Sequence, residues 1–193
     1  MKDQRWIGKV ILIAVCISVS ACLQVFADHF IYWKPGLLAE FWRLWTAHWV
    51  HVGWMHFFLN MLAFSFLPFI FPHARNWHLG ALLLVLPPFI SLIFYFRLPY
   101  IEAYAGLSGV LHGLYTAVSL VYLQYPHERK FAILVLVLIA AKIVWENTFG
   151  QTGTAQLIGS PVLTEAHLIG AIGGLLCGLG YLLVKRKYRE HTN

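Results

Sequence analysis

The segment that organises this sequence opens with Gly106-Leu107-Ser108-Gly109 and continues as an apolar run to Val121. A serine between glycines at the start of a segment is, by itself, typical of a turn or a helix cap. Two other apolar segments also carry polar groups, however: one contains His56 and Asn60, and another contains His167. A serine, a histidine and hydrogen-bond donors are the components of a hydrolase that uses a serine nucleophile.

The composition of the chain indicates a membrane protein. Of its 193 residues, 60% are hydrophobic and only 11% are charged, and the mean hydropathy is +0.69. A soluble domain of this length is far less apolar. Because lipid offers the backbone no hydrogen bonds, we expect each long apolar stretch to be a helix. Six such stretches are predicted, at about residues 7–26, 53–72, 78–96, 107–125, 131–148 and 163–184.

The distribution of basic residues predicts the orientation of this all-α bundle of six transmembrane helices. With a cytoplasmic N-terminus, most of the 14 Lys and Arg residues lie on the inner side, namely Lys2, Arg5, Lys9, Arg75, Arg129, Lys130, Lys185, Arg186, Lys187 and Arg189. The others are Lys34, Arg43, Arg97 and Lys142. Since cytoplasmic loops carry the excess of Lys and Arg, both termini are predicted to be cytoplasmic. The formal charge of +6 thus reflects topology and predicts no nucleic-acid partner.

The first apolar stretch has an alternative interpretation as a signal peptide. Basic residues precede it, and Val19-Ser20-Ala21-Cys22 resembles the processing site of a lipoprotein. Cleavage would leave five spans and would place the C-terminal basic cluster against the charge bias. We therefore favour an uncleaved helix.

Two long connections are expected on the outer side of a single domain that comprises residues 1–193. Residues 27–52 are rich in tryptophan, which is typical of short amphipathic helices lying in the headgroup region. Residues from about 147 to 164 contain several glycines and Pro161, which favour a mobile cap or gate.

Ser108 and His167 are the candidate nucleophile and general base. In the predicted topology both lie just below the outer end of their helices, so that their depths in the membrane match. An ionisable side chain inside a membrane is costly, and its default interpretation is functional. A serine whose proton is taken by a histidine can attack a carbonyl carbon. No aspartate stands where it could complete a triad.

His56 and Asn60 are candidate hydrogen-bond donors to the same site. They are four residues apart and share one face of the second predicted helix, while His51 lies just before that helix. The alternative is that these polar groups hold helices together. For His51 both interpretations remain open.

Other residues are expected to support the site. Gly170 and Gly174 form a small-xxx-small face, which predicts close packing of the last helix and brings His167 toward Ser108. His112 lies one turn after Ser108 on the same rigid helix, a poor position for a base. We expect it to pack on the His167 ring or to form a hydrogen bond with it.

Lys142 and Glu146 are the remaining charged candidates, four residues apart near the outer end of the fifth predicted helix. This spacing predicts an internal ion pair, and such a pair could also shape a substrate pocket. The three cysteines lie in apolar runs, and the histidines lack the spacing of a zinc site. The sequence therefore predicts neither a metal nor a cofactor.

These motifs together resemble the rhomboid intramembrane serine proteases. The matching positions are Trp42-Arg43, His51, His56, Asn60, Gly106-Leu107-Ser108-Gly109, Ala166-His167, Gly170 and Gly174. The resemblance implies a Ser108–His167 dyad and an oxyanion hole made by the Ser108 backbone N–H, His56 and Asn60. The sequence departs from commoner rhomboids at His112, where an aromatic residue, usually tyrosine, packs on the catalytic histidine.

Within that family the chain looks most like the rhombosortase branch. The similar features are the run from Gly106 to Gly113, Lys142 with Trp145-Glu146, and the run from Leu157 to His167. The resemblance implies a bacterial inner-membrane protein. It also implies substrates that carry a C-terminal Gly-Gly tail followed by one membrane span and basic residues.

The sequence thus favours an intramembrane serine endopeptidase that acts on membrane-anchored proteins with such a tail. Three alternatives remain. The first is a general rhomboid protease without a preference for Gly-Gly tails, and the second is an inactive rhomboid-like protein that binds client helices. The third is a small transporter, which the lack of charged residues in the middle of most helices disfavours.

Overall fold

Eight helices and one pair of two-residue strands form the described part of the chain, residues 2–150 and 152–192, in this computed structural model. The helices are α1 (Lys2–Gln24), α2 (Arg43–Thr46), α3 (Trp54–Ile70), α4 (Asn76–Arg97), α5 (Ser108–Tyr122), α6 (Arg129–Phe149), α7 (Thr152–Ile158) and α8 (Thr164–Thr192). The strands are β1 (Tyr32–Trp33) and β2 (Ala103–Tyr104). Each of the six predicted apolar stretches lies mainly within a helix. Gln151 and the side chains of Lys2, Arg5 and Arg189, which entered the predictions, lie outside the described residues.

Four of the described helices, α1, α4, α6 and α8, are long and apolar enough to cross a membrane. The apolar helix α3 has 17 residues and α5 has 15. At the rise of an α-helix these two are about 26 and 22 Å long, while the hydrocarbon core of a bilayer is about 30 Å thick. Several apolar helices in one chain make this a multi-pass membrane protein.

The central helix of the bundle is α5, which contacts α3, α4 and α6 and packs most extensively on α8. Four glycines allow the backbones of α5 and α8 to touch. A Cβ at Gly170 would collide with the carbonyl oxygen of Gly109, and a Cβ at Gly174 would collide with that of Gly113. The glycines of each helix are four residues apart, so the two small faces fit one another. Close packing therefore sets the first turns of α5 and α8 side by side.

The end of the bundle where α5 begins is called the site end here, and the other is the far end. Helices α1, α4 and α6 end at the site end, while α3, α5 and α8 begin there. The two strands pair antiparallel, with Tyr32 opposite Tyr104 and Trp33 opposite Ala103. This pairing ties residues 27–52 to the segment that leads into α5.

Residues 27–52 fold differently from the amphipathic helices expected there. Only α2 is an α-helix, with four residues, and the rest consists of β1, two 3-10 turns and irregular backbone. Buried Arg43 organises the segment, because its guanidinium donates to the carbonyl oxygens of Asp28 (3.1 Å) and Ile31 (2.7 Å) and to the carboxylate of Glu40 (2.6 Å). The expectation of a purely helical chain also misses β1 and β2.

The connection between α6 and α8 contains more helix than the predicted cap. Helix α6 continues to Phe149, and α7 occupies Thr152–Ile158. Gly150 (φ +77°) and Gly159 (φ +70°) adopt the left-handed conformations that favour glycine, and they interrupt the helices there.

At the far end, polar side chains form hydrogen bonds with backbone groups. The ammonium of Lys9 donates to the carbonyl oxygens of Pro68 (2.7 Å) and Pro72 (2.8 Å) near the end of α3. The hydroxyl of Tyr122, at the end of α5, accepts hydrogen bonds from the backbone N–H groups of His73 (2.5 Å) and Ala74 (3.0 Å). These contacts fix the turn between α3 and α4.

Candidate active site

The turn before α5 fixes the position of Ser108 in the first turn of that helix. Gly106 has a φ of +144°, which favours glycine, and a Cβ there would lie 2.7 Å from Cε1 of His56. Its N–H donates to the carbonyl oxygen of Ala47 (3.0 Å), and its own carbonyl oxygen accepts the hydroxyl of Tyr104 (2.6 Å). Burial raises the pKa of Tyr104 to about 12, so this hydroxyl keeps its proton.

His51 supports the same turn. It is buried, and its Nε2 lies 3.4 Å from the backbone nitrogen of Leu107, which donates the hydrogen bond. Burial, with a smaller contribution from neighbouring His56, lowers the pKa of His51 to about 3, so the ring is neutral and can accept. The structure thus places His51 against the backbone that leads into Ser108, which favours a supporting role.

Ser108 and His167 lie side by side at the site end. The distance between Oγ of Ser108 and Nε2 of His167 is 2.9 Å. His167 is buried near the start of α8, and Ser108 is half-buried at the start of α5. A base needs its lone pair directed at the hydroxyl, and this distance allows the hydroxyl to donate to Nε2. The structure brings together the two residues that the sequence proposes as nucleophile and base.

Glu146 makes a contact with His167 that the sequence analysis does not predict. Its Oε2 lies 2.6 Å from Nδ1 of His167, and its Oε1 forms the expected ion pair with Lys142. The carboxylate is buried although most of α6 is exposed to its surroundings. Glu146 is predicted near the outer end of the fifth helix, at a depth similar to those of Ser108 and His167. Glutamate, like aspartate, can accept a hydrogen bond from the histidine ring, so the matching depth was the signal that could have pointed to it.

His112 packs on the His167 ring. The two rings are stacked, with their centroids 4.1 Å apart and their planes within 15°. Nδ1 of His112 donates to the carbonyl oxygen of Ser108 at 2.8 Å, because a carbonyl can only accept. The ring is therefore bound to the backbone of Ser108 and stacked on its neighbour, the position of a packing partner.

His56 and Asn60 lie on one face of α3 and line the cavity that contains Ser108. The side-chain nitrogen of Asn60 donates to the carbonyl oxygen of His56 (2.9 Å), which uses one of its two hydrogens. Nδ1 of His56 is buried and has no hydrogen-bond partner among the described residues. Its ring stands edge-on to that of His51, with centroids 5.0 Å apart. Both residues therefore retain hydrogen-bonding capacity beside the cavity.

The cavity has a volume of about 920 Å³ and is lined mostly by apolar residues. Thr154 and Ile158 of α7 and the following residues 160–163 form one wall. Helices α3, α5 and α6 supply others, and Lys142 lies on the α6 wall. A mostly apolar cavity of this size with a few convergent polar groups is typical of a ligand-binding or active site.

His112, Glu146 and His167 could in principle hold a metal ion, because one ligand atom from each lies within 4.8 Å of the others. Two observations favour hydrogen bonding instead. Nδ1 of His112 and Nδ1 of His167 already contact oxygens, and the stacked rings place their in-plane lone pairs in two separate, nearly parallel planes. Metal ligands instead converge on one point.

A family model described as the Rhomboid domain matches residues 38–185, which is most of the chain. The chain belongs to the rhomboid family. Rhomboid proteins are generally serine proteases that act on membrane proteins within the bilayer. No curated protein matches the sequence closely enough for a comparison. The family assignment supports an intramembrane protease-like function, and the matched region contains every residue described above for the site.

Proposed function

We propose that this rhomboid protein is an active serine endopeptidase in which Ser108 is the nucleophile and His167 the general base. The observation that carries the proposal is the 2.9 Å contact between Oγ of Ser108 and Nε2 of His167 inside a matched rhomboid domain. An inactive client-binding protein would have no need of this geometry. No metal or cofactor enters the proposed reaction.

The reaction follows from these two atoms. Nε2 of His167 takes the hydroxyl proton as Oγ of Ser108 bonds to the carbonyl carbon of the scissile peptide. The tetrahedral intermediate then collapses, and the C–N bond breaks as the same proton passes from Nε2 to the leaving amine. Water hydrolyses the resulting ester by the reverse sequence of proton transfers and restores the serine.

The negative oxygen of the intermediate needs hydrogen-bond donors, and three are proposed. Ser108 is the first residue of α5, where backbone N–H groups have no partner within the helix and the helix dipole favours negative charge. The side chains of His56 and Asn60 line the same cavity. Together these groups form the proposed oxyanion hole.

The proposed topology has six spans with both termini in the cytoplasm of a bacterium, in its inner membrane. The excess of Lys and Arg on that side supports it. Helix α5 is about 22 Å long, which is shorter than the hydrocarbon core of about 30 Å. If Tyr122 at its end lies at the inner surface of this core, Ser108 at its start lies below the outer surface. Ser108 then lies below the membrane surface, and the cavity supplies its access to water and substrate. In this proposal residues 27–52 and 147–164 form the outer face of a single domain.

The substrate we propose is a rhombosortase-type tail, with Gly-Gly at the outer boundary, one span and a basic inner end. A helical substrate must unwind before one of its carbonyl carbons can meet Ser108. Each glycine lowers the cost of unwinding by about 1 kcal/mol relative to alanine, and it brings no side chain into the cavity. The basic end of the tail remains on the cytoplasmic side, as the charge bias requires.

The test is a secreted reporter that carries such a tail, expressed with and without this protein. We expect cleavage close to the glycines, and little cleavage when the glycines are replaced by leucine. Ser108→Ala and His167→Ala should each lower the rate by about 10⁴–10⁶-fold, the loss typical of a missing nucleophile or base. Ser119→Ala, which removes a buried hydroxyl near the far end of α5, is the matched control.

Two outcomes narrow the proposal in different ways. Equal processing of the glycine and leucine tails would leave a general rhomboid protease without tail preference. Substantial proteolysis by purified Ser108→Ala or His167→Ala protein would overturn the assignment of nucleophile and base.

A further inference from the structure

The hydrogen bonds of His167 extend beyond Ser108 to a buried acid. Only 3% of Glu146 is exposed, and its carboxylate lies between two partners. Oε2 is 2.6 Å from Nδ1 of His167, and Oε1 forms an ion pair with Lys142. Ser108, His167, Glu146 and Lys142 thus form a continuous chain of side-chain contacts.

The carboxylate decides which ring nitrogen of His167 carries the proton. An ionised carboxylate can only accept hydrogen bonds, so Nδ1 must donate and Nε2 must hold the lone pair. This is the tautomer that can accept a proton from Oγ of Ser108 at 2.9 Å. The same hydrogen bond fixes the plane of the ring, which His112 supports on one face.

We propose that Glu146 is a positioning residue for the proposed protease reaction, and that Lys142 holds its carboxylate in the ionised state. The inference rests on the proposed function of Ser108 and His167. When Nε2 takes the serine proton, the ring becomes positively charged although His167 is buried. The neighbouring carboxylate stabilises that charge without taking the proton, which later passes from Nε2 to the leaving amine.

Lys142 is needed because a buried carboxylate without a partner is costly. The two residues are four apart on α6, so the ammonium lies one turn away on the same face. About half of the Lys142 side chain is exposed (48%), and it lines the cavity, where water can solvate the rest of the charge. The Glu146 carboxylate therefore presents a negative charge to His167, and the ammonium of Lys142 balances that charge on the other side.

The first experiment measures how fast a fluorophosphonate probe labels Ser108 in the purified full-length protein. We expect Glu146→Gln to lower the maximal labelling rate by about 10²–10⁴-fold, as the loss of a triad acid does elsewhere. The probe concentration at half the maximal rate should change by less than about threefold, because the cavity is unchanged. Glu146→Asp, which restores the charge, should recover part of the rate.

The matched control is Glu165→Gln. It makes the same chemical change two residues before His167, at a carboxylate that accepts from the hydroxyl of Tyr100 and does not contact the site. Its labelling rate should equal that of the parent. The melting midpoint of every variant in detergent is measured alongside, so that rates refer to folded protein.

A double-mutant cycle keeps the proposal testable if Glu146→Gln is poorly folded. Lys142→Met should slow labelling by about 10-fold or more in the parent, since it leaves a buried carboxylate unpaired, but should have little effect in Glu146→Gln protein. Lys130→Met, on the same helix 12 residues away and exposed, is the control for loss of a lysine charge.

The outcomes separate this inference from the proposed function. If the parent is not labelled at Ser108, the proposed function fails. If the parent is labelled and folded Glu146→Gln protein is labelled at the same rate, Glu146 has no positioning role while the protease assignment stands. If Lys142→Met slows labelling equally in the parent and in Glu146→Gln protein, Lys142 does not act through Glu146, and this part of the proposal is overturned.

Discussion

Two lysines in apolar helices, Lys9 in α1 and Lys142 in α6, have opposite surroundings. Lys9 lies at the far end, is 4% exposed, and donates to carbonyl oxygens near the end of α3. Lys142 lies at the site end, lines the cavity, and pairs with Glu146, which in turn contacts His167. One lysine satisfies backbone acceptors that the end of a helix leaves open, and the other pairs with the carboxylate that contacts His167.

The difference shows how an ionisable residue in a membrane segment should be interpreted. Its cost in lipid indicates that it has a role, but its partners determine which role. Contacts to backbone carbonyl oxygens, as for Lys9, stabilise a chain reversal. A contact to a second ionisable side chain at a cavity, as for Lys142, places the residue in a candidate active site.

Substitutions at the proposed oxyanion hole, at the site end, should reduce activity strongly, whereas a substitution at the far end should not. His56→Ala and Asn60→Ala should each lower turnover of the tail reporter by about 10–10³-fold, because each removes a donor to the developing negative charge. Tyr122→Phe at the far end is the control, since its hydroxyl accepts hydrogen bonds from the turn after α3 and its loss should affect stability alone. If both single variants and the double variant match the parent rate, the pair is structural.

A smaller effect is expected at His112, which contacts the site through stacking. His112→Ala should lower turnover by about 2–10-fold, since an aromatic pair contributes about 0.5–1.5 kcal/mol. His112→Tyr should retain much of the activity, because tyrosine can also stack on His167. Loss of activity in His112→Tyr as complete as in Ser108→Ala would instead point to His112 as the base.

Lys9→Met tests whether Lys9, at the far end, contributes to stability and not to the reaction. It leaves the carbonyl oxygens of Pro68 and Pro72 without the ammonium, so the free energy of unfolding should fall by about 1–3 kcal/mol. Fluorophosphonate labelling of Ser108 in the folded fraction should be unchanged. A slower labelling rate with an unchanged melting midpoint would show that the two lysines are not functionally distinct.

The last prediction concerns pH and His51, whose folded-state pKa of about 3 lies below its ordinary value of 6.5. The stability that this neutral ring provides is fully present above about pH 6.5 and is lost as the pH falls toward 3, because the unfolded chain binds the proton more readily. Between pH 7 and pH 5 the loss should reach about 2 kcal/mol.

His51→Gln supplies the comparison, since its amide can still accept from the N–H of Leu107 but does not titrate. The melting midpoint of the variant in detergent should fall less than that of the parent over the same pH range. Buried His48, whose pKa burial also lowers to about 3, contributes equally to both proteins. Identical pH dependence in parent and variant would contradict the assignment of a buried, neutral His51.

Much of the site could be predicted because depth along a helix follows from the sequence. Hydropathy marks where each helix enters the membrane, so residues near the same ends, such as Ser108 and His167, can be matched without a structure. Rotation about the helix axis is harder to predict. In α6 the long run from Phe131 to Ala141 is apolar on all sides, so the sequence does not indicate that Glu146 faces His167 while the neighbouring Trp145 is exposed.

Hydropathy and residue type are local properties, so the sequence was enough to predict the helices, the small face of α8, and Ser108 and His167 as candidate nucleophile and base. Three features became visible only in the folded chain: Gly109 and Gly113 complement Gly170 and Gly174, β1 pairs with β2, and Glu146 joins His167 to Lys142. Lipid-facing and protein-facing surfaces of a membrane helix are equally apolar, so the pattern of hydrophobic residues does not specify which faces meet. Packing of the glycine backbones and the cost of an unpaired buried charge make that choice.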